Sequence, residues 1–305
     1  MEVPRPHAEE GQVEVELLRV TVCGSDLHIY RGRRPHPPFP LPPGRPAHEC
    51  LGKALADDPQ GRFDEGDVLL VRPPESDGLR EMLAVPSENV YPVKPYGLEK
   101  DPDRAVLGSL VAPVLKCARL LGNVVGKSVF VIGQGPAGLI HTEIVRRMGA
   151  GFIATADLLR YRLEESRRRG ADATVDASSE DLVRAAEKLT DGKLFDIVIE
   201  AVGSAETIAL APMLARPEGS VVFYGLPGED AFLRPYMYFS KRLVMRSSEF
   251  PQREDFELAL KMIGERIIDV GSMVTHVLEF DEVPRAYRLA DEKEENVIRV
   301  IVRAA

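Results

Sequence analysis

A glycine-rich turn between a strand-like run and a helical pattern most constrains the fold of this chain. The apolar run Val129–Ile132 leads directly into Gly133-Gln134-Gly135-Pro136-Ala137-Gly138, and an amphipathic pattern follows. In this setting the glycines allow a tight turn, close approach to a pyrophosphate and close packing of the helix on the strand. Pro136 suits a helix start because its missing amide has no partner there, and the helix N-terminus offers amides to the diphosphate. The pattern predicts a dinucleotide-binding unit.

A repeated sequence pattern extends this unit over residues 119–246. Strand-like apolar runs alternate with helical patterns along this stretch, which predicts an α/β fold with a doubly wound parallel sheet covered on both faces. The crossovers are expected to be right-handed. The strand-like runs are Ser128–Ile132, Phe152–Ala156, Ala173–Val175, Phe195–Val202 and Ser220–Leu226, and the helical patterns are Ala137–Met148, Arg160–Arg169 and Ser179–Leu189.

An acidic residue ends the strand that follows the glycine turn. Asp157 lies about 20 residues beyond Gly138, where a carboxylate accepts hydrogen bonds from the ribose of the cofactor and repels a 2′-phosphate. This favours NAD over NADP. Arg160 and Arg162 follow closely and would weaken that preference, so NADP stays open as the cofactor. The alternative is a turn and a surface aspartate in a domain that binds no nucleotide.

The remaining stretches predict a second, mainly β domain. Up to residue 118 the chain is rich in proline and in short alternating runs such as Val13–Leu17, which favour strands joined by long loops. Residues 247–305 carry two helical patterns and two strand-like runs. That segment is too short to bury a core well by itself, and we expect it to pack on the first stretch.

Composition excludes several classes of protein. With 39 Lys+Arg against 48 Asp+Glu the net charge is −9, which argues against a nucleic-acid or anionic-membrane partner. No apolar run approaches the ~18 residues of a membrane span, and the first residues do not resemble a signal peptide, so we expect a cytoplasmic protein. Three cysteines cannot form two disulfides or a four-cysteine zinc site.

Two short segments combine metal-ligand side chains. Cys23-Gly24-Ser25-Asp26-Leu27-His28 follows a strand-like run, and Pro46-Ala47-His48-Glu49 follows a proline-rich loop. Taken singly, each cysteine or histidine is more often a core or surface residue than a ligand. Together, a thiolate, an imidazole and a carboxylate are the ligand types of an open catalytic zinc site, which keeps one position for water or substrate.

These segments together resemble the zinc-dependent medium-chain alcohol/polyol dehydrogenase family, in the branch of the sorbitol and threonine dehydrogenases. The resemblance implies a Rossmann NAD(P)-binding domain over residues 119–246 and a mainly β GroES-like catalytic domain over residues 1–118 and 247–305. It implies an oxidoreductase that moves a hydride between a secondary alcohol or polyol and the cofactor. The segments that carry it are Cys23–His28, His48–Gly52, Gly133–Gly138 with Asp157, Asp196–Gly203 and Phe280–Val302.

The resemblance also implies individual roles. Cys23 and His48 would bind one catalytic Zn²⁺, a Lewis acid toward the substrate hydroxyl, and Asp26 would orient His48. Ser25 would hydrogen-bond the substrate hydroxyl and pass its proton toward the cofactor ribose and His28. Glu49 would lie beside the metal or coordinate it. The residues implied for the cofactor are Gly133, Gly135, Pro136, Ala137, Gly138, Asp157, Arg162, Val202 and Gly203.

The chain departs from the family pattern at the metal site. Ala112 stands where the family carries an acid in its Glu-Pro segment, so a common zinc-site carboxylate is missing. Glu49 could replace it as the third ligand. Cys117 is a weaker candidate, and a site that binds metal weakly or not at all is the remaining alternative. The four-cysteine structural zinc lobe is also absent between residues 71 and 83, so no structural zinc is expected.

Two further expectations concern the chain start and the assembly. Glu2–Pro6 matches a family segment that lies after an opening hairpin, so either the start is truncated or a sheet edge is capped differently, for example by a partner chain. The resemblance implies a homodimer or homotetramer, with the nucleotide-binding sheet edge around Phe223–Tyr238 as the interface.

Two other functions stay open at this stage. One is a zinc-free reductase of the same superfamily, whose turnover would be insensitive to a chelator. The other is a catalytically degenerate NAD(H)-binding protein, favoured by Ala112 and the short start, which would bind the cofactor without turnover.

Overall fold

The structure, a computed structural model, describes residues 4–33, 39–248 and 250–304. The chain forms two compact units, one made of Met1–Ala112 with Pro251–Ala305 and the other of Pro113–Phe250. Glu2 and Val3, which belong to the segment compared with the family's opening strands, lie outside the described residues.

The elements are numbered in chain order. The strands are β1 (Gln12–Thr21), β2 (Cys50–Ala54), β3 (Val68–Val71), β4 (Met82–Pro86), β5 (Val90–Pro92), β6 (Ser128–Ile132), β7 (Phe152–Asp157), β8 (Ala173–Asp176), β9 (Phe195–Glu200), β10 (Ala215–Phe223), β11 (Val244–Ser247), β12 (Val274–Glu279) and β13 (Arg299–Arg303). The helices are α1 (Gly24–Tyr30), α2 (Pro102–Ala105), α3 (Gly108–Leu120), α4 (Pro136–Arg147), α5 (Arg160–Arg168), α6 (Leu182–Leu189), α7 (Ala205–Leu214), α8 (Pro235–Lys241), α9 (Arg253–Gly264) and α10 (Val283–Glu292).

The unit Pro113–Phe250 contains a six-stranded parallel sheet in the order β11-β10-β9-β6-β7-β8. Its central strand β6 is buried along Val129–Ile132, because helices pack over a parallel sheet. This arrangement confirms the predicted doubly wound α/β fold. The carboxyl ends of β6, β7 and β9 meet at one edge, which collects the glycine turn, Asp157 and Glu200 there.

One helix in this unit starts later than its sequence pattern predicts. The pattern begins at Ser179, but α6 begins at Leu182. Asp181 stands before the first turn, and its carboxylate accepts hydrogen bonds from the amides of Val183 and Arg184, both at 2.9 Å. An aspartate in this position satisfies amides that have no partner within the helix, so the helix begins after it.

The other unit contains a seven-stranded sheet in the order β12-β13-β1-β2-β3-β5, with β4 also paired to β1. Its pairs are antiparallel except for β12 with β13. Along β1 the apolar side chains of Val13, Val15 and Leu17 alternate into the core, as the period-two pattern predicts. A mainly β second fold is confirmed. Strand β13 pairs with β1, so the end of the chain completes this sheet.

The connection between β3 and β4 is short and packs tightly against Ala47 and Cys50. The amide of Ala47 donates to the carbonyl of Ser76 at 2.7 Å, and the amide of Gly78 donates to the carbonyl of Ala47 at 2.9 Å. A Cβ on Gly78 would lie 2.2 Å from Cys50 Sγ. The buried Cys50 thiol therefore fills space against this short connection.

No helix in the described ranges combines the length and apolar character needed to cross a membrane.

Candidate functional site

Helix α1 arranges the first group of candidate residues. Cys23 lies just beyond β1 and immediately before α1, and its backbone amide donates to Asp26 Oδ2 at 3.0 Å. The carboxylate of Asp26 is fully buried, so the turn that carries it is held in one position. Because the helix repeats about every 3.6 residues, Ser25 and His28 lie on the same side of α1.

Asp26 also fixes the imidazole of His48. His48 Nδ1 lies 2.7 Å from Asp26 Oδ1, so a proton on Nδ1 is donated to the carboxylate and Nε2 is the nitrogen left for a metal. The hydroxyl of Ser25 lies 3.5 Å from that Nε2 and donates to Cys23 Sγ at 3.3 Å. A carboxylate behind a histidine in this way is the usual support of a metal ligand.

The sulfur of Cys23, a ring nitrogen of His48 and a carboxylate oxygen of Glu49 all lie within 4.8 Å of one another. No second cluster of this kind is found in the part of the chain that the structure describes. One sulfur, one nitrogen and one oxygen donor fit a catalytic zinc that keeps an open position, so the residues present match the predicted ligand set. Ala112 and Cys117 are buried on α3 and do not belong to the cluster.

A buried arginine that the sequence interpretation missed contacts this cluster. Arg299, the first residue of β13, is 2% exposed, and its guanidinium forms an ion pair with the Glu49 carboxylate. The same guanidinium donates to Val22 O at 3.0 Å and to Thr21 Oγ1 at 2.6 Å. The Thr21 hydroxyl donates to Glu49 as well. The only sequence signal was a charged residue inside the otherwise apolar run Val297–Val302.

The charges in the cluster shift the pKa values of its members in opposite directions. Burial alone would raise the pKa of the Cys23 thiol, but the hydrogen bond and charge of His48 and the charge of Arg299 lower it to about 6. Burial alone would lower the pKa of His48, but Asp26 and then Cys23 raise it to about 10. The cysteine is therefore disposed to be a thiolate, which is the form that binds a metal.

His28 lies farther along α1 in a different environment. Burial lowers its pKa, and the charges of Arg33 and Arg31 lower it further. The structure gives no hydrogen bond between His28 and Ser25 among the described residues, and His28 Nδ1 is buried without a partner there. The imidazole is therefore disposed to be neutral near pH 7 and able to accept a proton.

The glycine turn has the geometry that the sequence predicts for a close approach of backbone to ligand. Gly133 has φ +88°, and a Cβ there would lie 2.5 Å from Val202 Cγ2. A Cβ on Gly138 would lie 1.8 Å from the carbonyl oxygen of Gly133, so only glycine lets α4 start this close to β6. Gly135 is open toward Arg162 Nη1, which a Cβ would approach to 3.7 Å.

Gln134, which the sequence interpretation did not assign, stabilises the turn from inside. Its side chain is fully buried, its Nε2 donates to Gly133 O at 3.0 Å, and its Oε1 accepts from Thr142 Oγ1 at 3.0 Å. Its backbone amide donates to Asp157 Oδ2 at 2.7 Å, and the other Asp157 oxygen accepts from the amide of Leu159 at 2.9 Å. The Asp157 carboxylate is thus fixed at the end of β7, beside the turn.

Arg162 and Val202 complete the group of predicted cofactor residues. The Arg162 guanidinium lies over the Tyr161 ring at 5.7 Å from its centre, and the Val202 side chain is 46% exposed against the glycine turn. The structure therefore brings the glycine turn, Asp157, Arg162, Val202 and Gly203 to one edge of the parallel sheet, whereas Cys23, Ser25, His28, His48 and Glu49 belong to the other unit.

Comparison with known proteins identifies the family. The family model described as "Alcohol dehydrogenase GroES-like domain" matches residues 9–95, and the one described as "Zinc-binding dehydrogenase" matches residues 136–265. The chain belongs to the zinc-type medium-chain alcohol dehydrogenase family. As a member it is an oxidoreductase that transfers a hydride between an alcohol and a nicotinamide cofactor, as the sequence predicts.

Individual members of the family match nearly the whole chain. An uncharacterized zinc-type alcohol dehydrogenase-like protein of Escherichia coli is 26% identical over 99% of this chain and 94% of its own length. The L-threonine 3-dehydrogenase of Pyrococcus abyssi is 27% identical over 95% of this chain and 90% of its own length. Among solved structures, the alcohol dehydrogenase TADH of Thermus sp. ATN1 superposes with a TM-score of 0.85 at 26% identity, covering 100% of this chain and 96% of that one.

Proposed function

We propose that this dehydrogenase oxidises a secondary alcohol or polyol, with NAD as hydride acceptor and one catalytic zinc held by Cys23, His48 and Glu49. The observation that carries the proposal is the approach of these three ligand atoms to within 4.8 Å of one another. The family membership supports the reaction, and the chemistry of the donor set supports the metal.

Neighbouring residues set the orientation of His48 and the protonation state of Cys23. Asp26 accepts the Nδ1 proton of His48, so Nε2 is the ring nitrogen on the side where Cys23 and Ser25 lie. The pKa of Cys23, lowered to about 6, makes the thiolate the main form at neutral pH. The pKa of His48, raised to about 10, keeps a proton on Nε2 beside that thiolate, and a cation that binds there would displace this one proton.

Glu49 would be the third ligand, in place of the acid missing at Ala112. Glu49 is buried and its carboxylate already pairs with Arg299, so one oxygen faces the guanidinium while the carboxylate also lies within reach of Cys23 and His48. A carboxylate has two oxygens and can serve both partners. With Cys23 and Glu49 negative, a divalent cation would neutralise the ligand set, while Arg299 would balance Asp26.

Ser25 and His28 would move the proton of the substrate hydroxyl. When bound, zinc supplies Lewis-acid chemistry that makes an alcohol more acidic. The Ser25 hydroxyl lies 3.3 Å from Cys23 Sγ and 3.5 Å from His48 Nε2, beside the open position where a substrate hydroxyl would bind. His28, one turn further along α1 and with a lowered pKa, is the base that would receive the proton.

Asp157 supports NAD rather than NADP. Its carboxylate is held by the amides of Gln134 and Leu159 at the end of β7, where it would accept hydrogen bonds from the ribose hydroxyls and repel a 2′-phosphate. Arg160 and Arg162 are the groups through which NADP would be accommodated instead. Comparing the Kd values for NADH and NADPH of the purified protein decides between them.

Metal content and turnover together test the main proposal. The purified protein should contain one zinc per chain and reduce NAD with members of a panel of secondary alcohols and polyols. Cys23→Ser should lose the zinc and at least about a hundredfold in kcat/KM, whereas the matched control Cys117→Ser, a buried cysteine outside the cluster, should keep both. Activity without metal, unchanged by a chelator and by Cys23→Ser, would establish the zinc-free reductase instead. Cofactor binding with no turnover on any alcohol would indicate the degenerate protein.

We also propose that the protein forms a homodimer through the outer edge of the parallel sheet. The edge strand is β11, exposed along Val244–Ser247, rather than the predicted stretch Phe223–Tyr238, because Phe223 ends the inner strand β10. Nearby Phe232, Tyr236 and Phe239 are about four-fifths exposed, with 78%, 81% and 82% of their surface accessible. Two copies of an edge strand can pair antiparallel about a twofold axis, which covers both sets of free peptide groups.

Solution mass tests this assembly. Light scattering should give twice the chain mass, or four times if dimers pair again. Met245→Pro on the edge strand β11 should reduce the mass to that of one chain, whereas Val277→Pro on β12, an edge strand of the other sheet, should not. A single-chain mass for the parent protein would contradict the proposal.

A further inference from the structure

Glu200, the last residue of β9, is a buried carboxyl group to which the proposed mechanism gives no role. Its Oε1 accepts three hydrogen bonds, from the amide of Val202 at 2.8 Å, the amide of Gly203 at 2.9 Å and the hydroxyl of Thr207 at 2.8 Å. The side chain therefore holds the β9 loop, residues 201–203, folded back onto the end of its own strand.

The main chain of Glu200 holds a second loop. Its carbonyl oxygen accepts from the amide of Tyr224 at 2.8 Å and from the amide of Gly225 at 3.0 Å. These amides belong to the β10 loop, residues 224–226, which follows the neighbouring strand. One residue thus joins two loops at the carboxyl edge of the parallel sheet.

The two loops are in close contact with each other and with the glycine turn, so none of these three segments has space to shift by itself. A Cβ on Gly203 would lie 2.3 Å from Leu226 O, and a Cβ on Gly225 would lie 2.1 Å from the amide nitrogen of Gly203. On its other side the β9 loop places Val202 against Gly133, where a Cβ would be 2.5 Å away. A change in the β9 loop therefore displaces its neighbours, because their backbones are in direct contact.

The position of these loops assigns them to one half of the cofactor. The strand order β8-β7-β6-β9-β10-β11 is two three-stranded halves that meet between β6 and β9. Asp157 marks the β7 side as the adenosine half, so the carboxyl ends of β9 and β10 are left for the nicotinamide half.

We propose that Glu200 is the positioning residue for the nicotinamide half of the cofactor, acting through the amides of the β9 loop and leaving the adenosine half unaffected. The inference rests on the proposed function, because it requires a bound nicotinamide dinucleotide. Glu200 would thus influence cofactor binding through the β9 loop, without contacting the cofactor itself.

The hydrogen-bond acceptor, rather than the negative charge, carries this role. Burial raises the pKa of Glu200, while the bonds from Gly203, Thr207 and Val202 oppose that rise. The second oxygen, Oε2, is buried and has no donor among the described residues. Glutamine keeps the accepting oxygen and loses no bond that Oε2 makes, so Glu200→Gln should retain the loop.

Comparing the Kd values for ADP and NADH tests the proposed role of Glu200. ADP carries the adenosine and the diphosphate, whereas NADH adds the nicotinamide half, and the Kd of each is measured by calorimetry. We expect Glu200→Ala to raise the Kd for NADH at least about tenfold and the Kd for ADP less than about twofold, and Glu200→Gln to stay near the parent for both. If Glu200→Ala does not fold, Glu200→Asp, whose shorter side chain withdraws the oxygen from the amides, should show the same selective loss.

Asp196 supplies a matched control at the opposite end of the same strand. Its carboxylate also accepts from a backbone amide and a hydroxyl, both of Ser128 at 2.8 Å, but at the amino end of β9. Asp196→Ala should lower the melting temperature without changing the ratio of the two Kd values. Equal weakening of NADH and ADP in the Glu200 variants, or no weakening of either, would overturn the inference. A parent protein that binds neither ligand would refute the proposed function itself.

Discussion

The guanidinium of Arg299 and the carboxylate of Glu49 form an ion pair beside the candidate metal ligands Cys23 and His48, although 250 positions separate them in the sequence. The two side chains are 2% and 4% exposed, so water screens neither charge. Strand β13 brings them together, because it pairs with β1 in a register that sets Thr21 opposite Ile301. Arg299 then lies beside Val22 and Cys23, at the start of the site.

Removal of Arg299 should make the stability of the protein depend on metal. Arg299→Met leaves Glu49 buried without its counter-charge, and breaking a buried pair in this way costs about 3–5 kcal/mol. Because a bound cation supplies the missing positive charge, added zinc should restore much of the loss in melting temperature, and more in the variant than in the parent. Arg303→Met, on the same strand but paired with Asp103 at a site 42% exposed, is the control and should show no zinc-dependent rescue. An equal zinc effect in all three proteins would contradict this prediction.

Asp26→Asn should weaken metal binding without unfolding the protein. The amide no longer accepts the Nδ1 proton of His48 as a carboxylate does, so the tautomer that presents Nε2 is favoured less. Loss of such a support lowers metal affinity by about 10–100-fold. Competition with a chromophoric chelator measures it. Asp58→Asn, which disturbs a buried carboxylate paired with Arg62, should leave the zinc affinity at the parent value.

Gly133→Ala should abolish cofactor binding, because the added Cβ both strains the backbone and collides with a neighbouring side chain. Gly133 and Gly126 both have positive φ, at +88° and +74°, so alanine at either position costs about 1 kcal/mol or more of stability. Only at Gly133 would the added Cβ collide with a neighbour, Val202 at 2.5 Å, whereas Gly126 has nothing within 4 Å. Calorimetric titration with NADH should therefore show a loss for Gly133→Ala and a normal Kd for Gly126→Ala. Normal binding by both variants would count against the turn as the cofactor site.

Acid should remove a stabilising contribution of Asp58. Hydrogen bonds from Arg62 lower the pKa of this carboxyl in the folded state to about 2, against about 3.9 in an unfolded chain. A lowered folded-state pKa contributes stability that is present above pH ~4 and is lost as the pH falls toward 2. Urea unfolding between pH 5 and pH 2 should accordingly show a shallower decline for Asp58→Asn than for the parent. Glu99→Gln, an exposed acid, should follow the parent curve.

The two domain folds and most of the ligand types follow from local patterns in the sequence. The glycine turn after β6 is a contiguous segment, and the need for glycine at Gly133 and Gly138 arises from atoms within a few residues and from the strand beside them. Apolar residues alternate along β1 and are continuous along β6, and each pattern likewise predicts which side chains of its strand are buried. Element ends are less determined, since α6 begins where the side chain of Asp181 reaches two amides rather than where its periodicity starts.

The family, the glycine turn and the choice of Cys23, His48 and Glu49 as ligand candidates can therefore be predicted from short segments of sequence. Which charges surround those three residues depends on the folded chain. Arg299 reaches Glu49 through strand pairing across almost the whole chain, and no local pattern encodes which residue will lie opposite another. Glu200 is a similar case, because its importance lies in two loops that meet only when β9 and β10 are neighbours. Contacts between distant segments depend on register and packing, which are properties of the folded sheet rather than of any one segment.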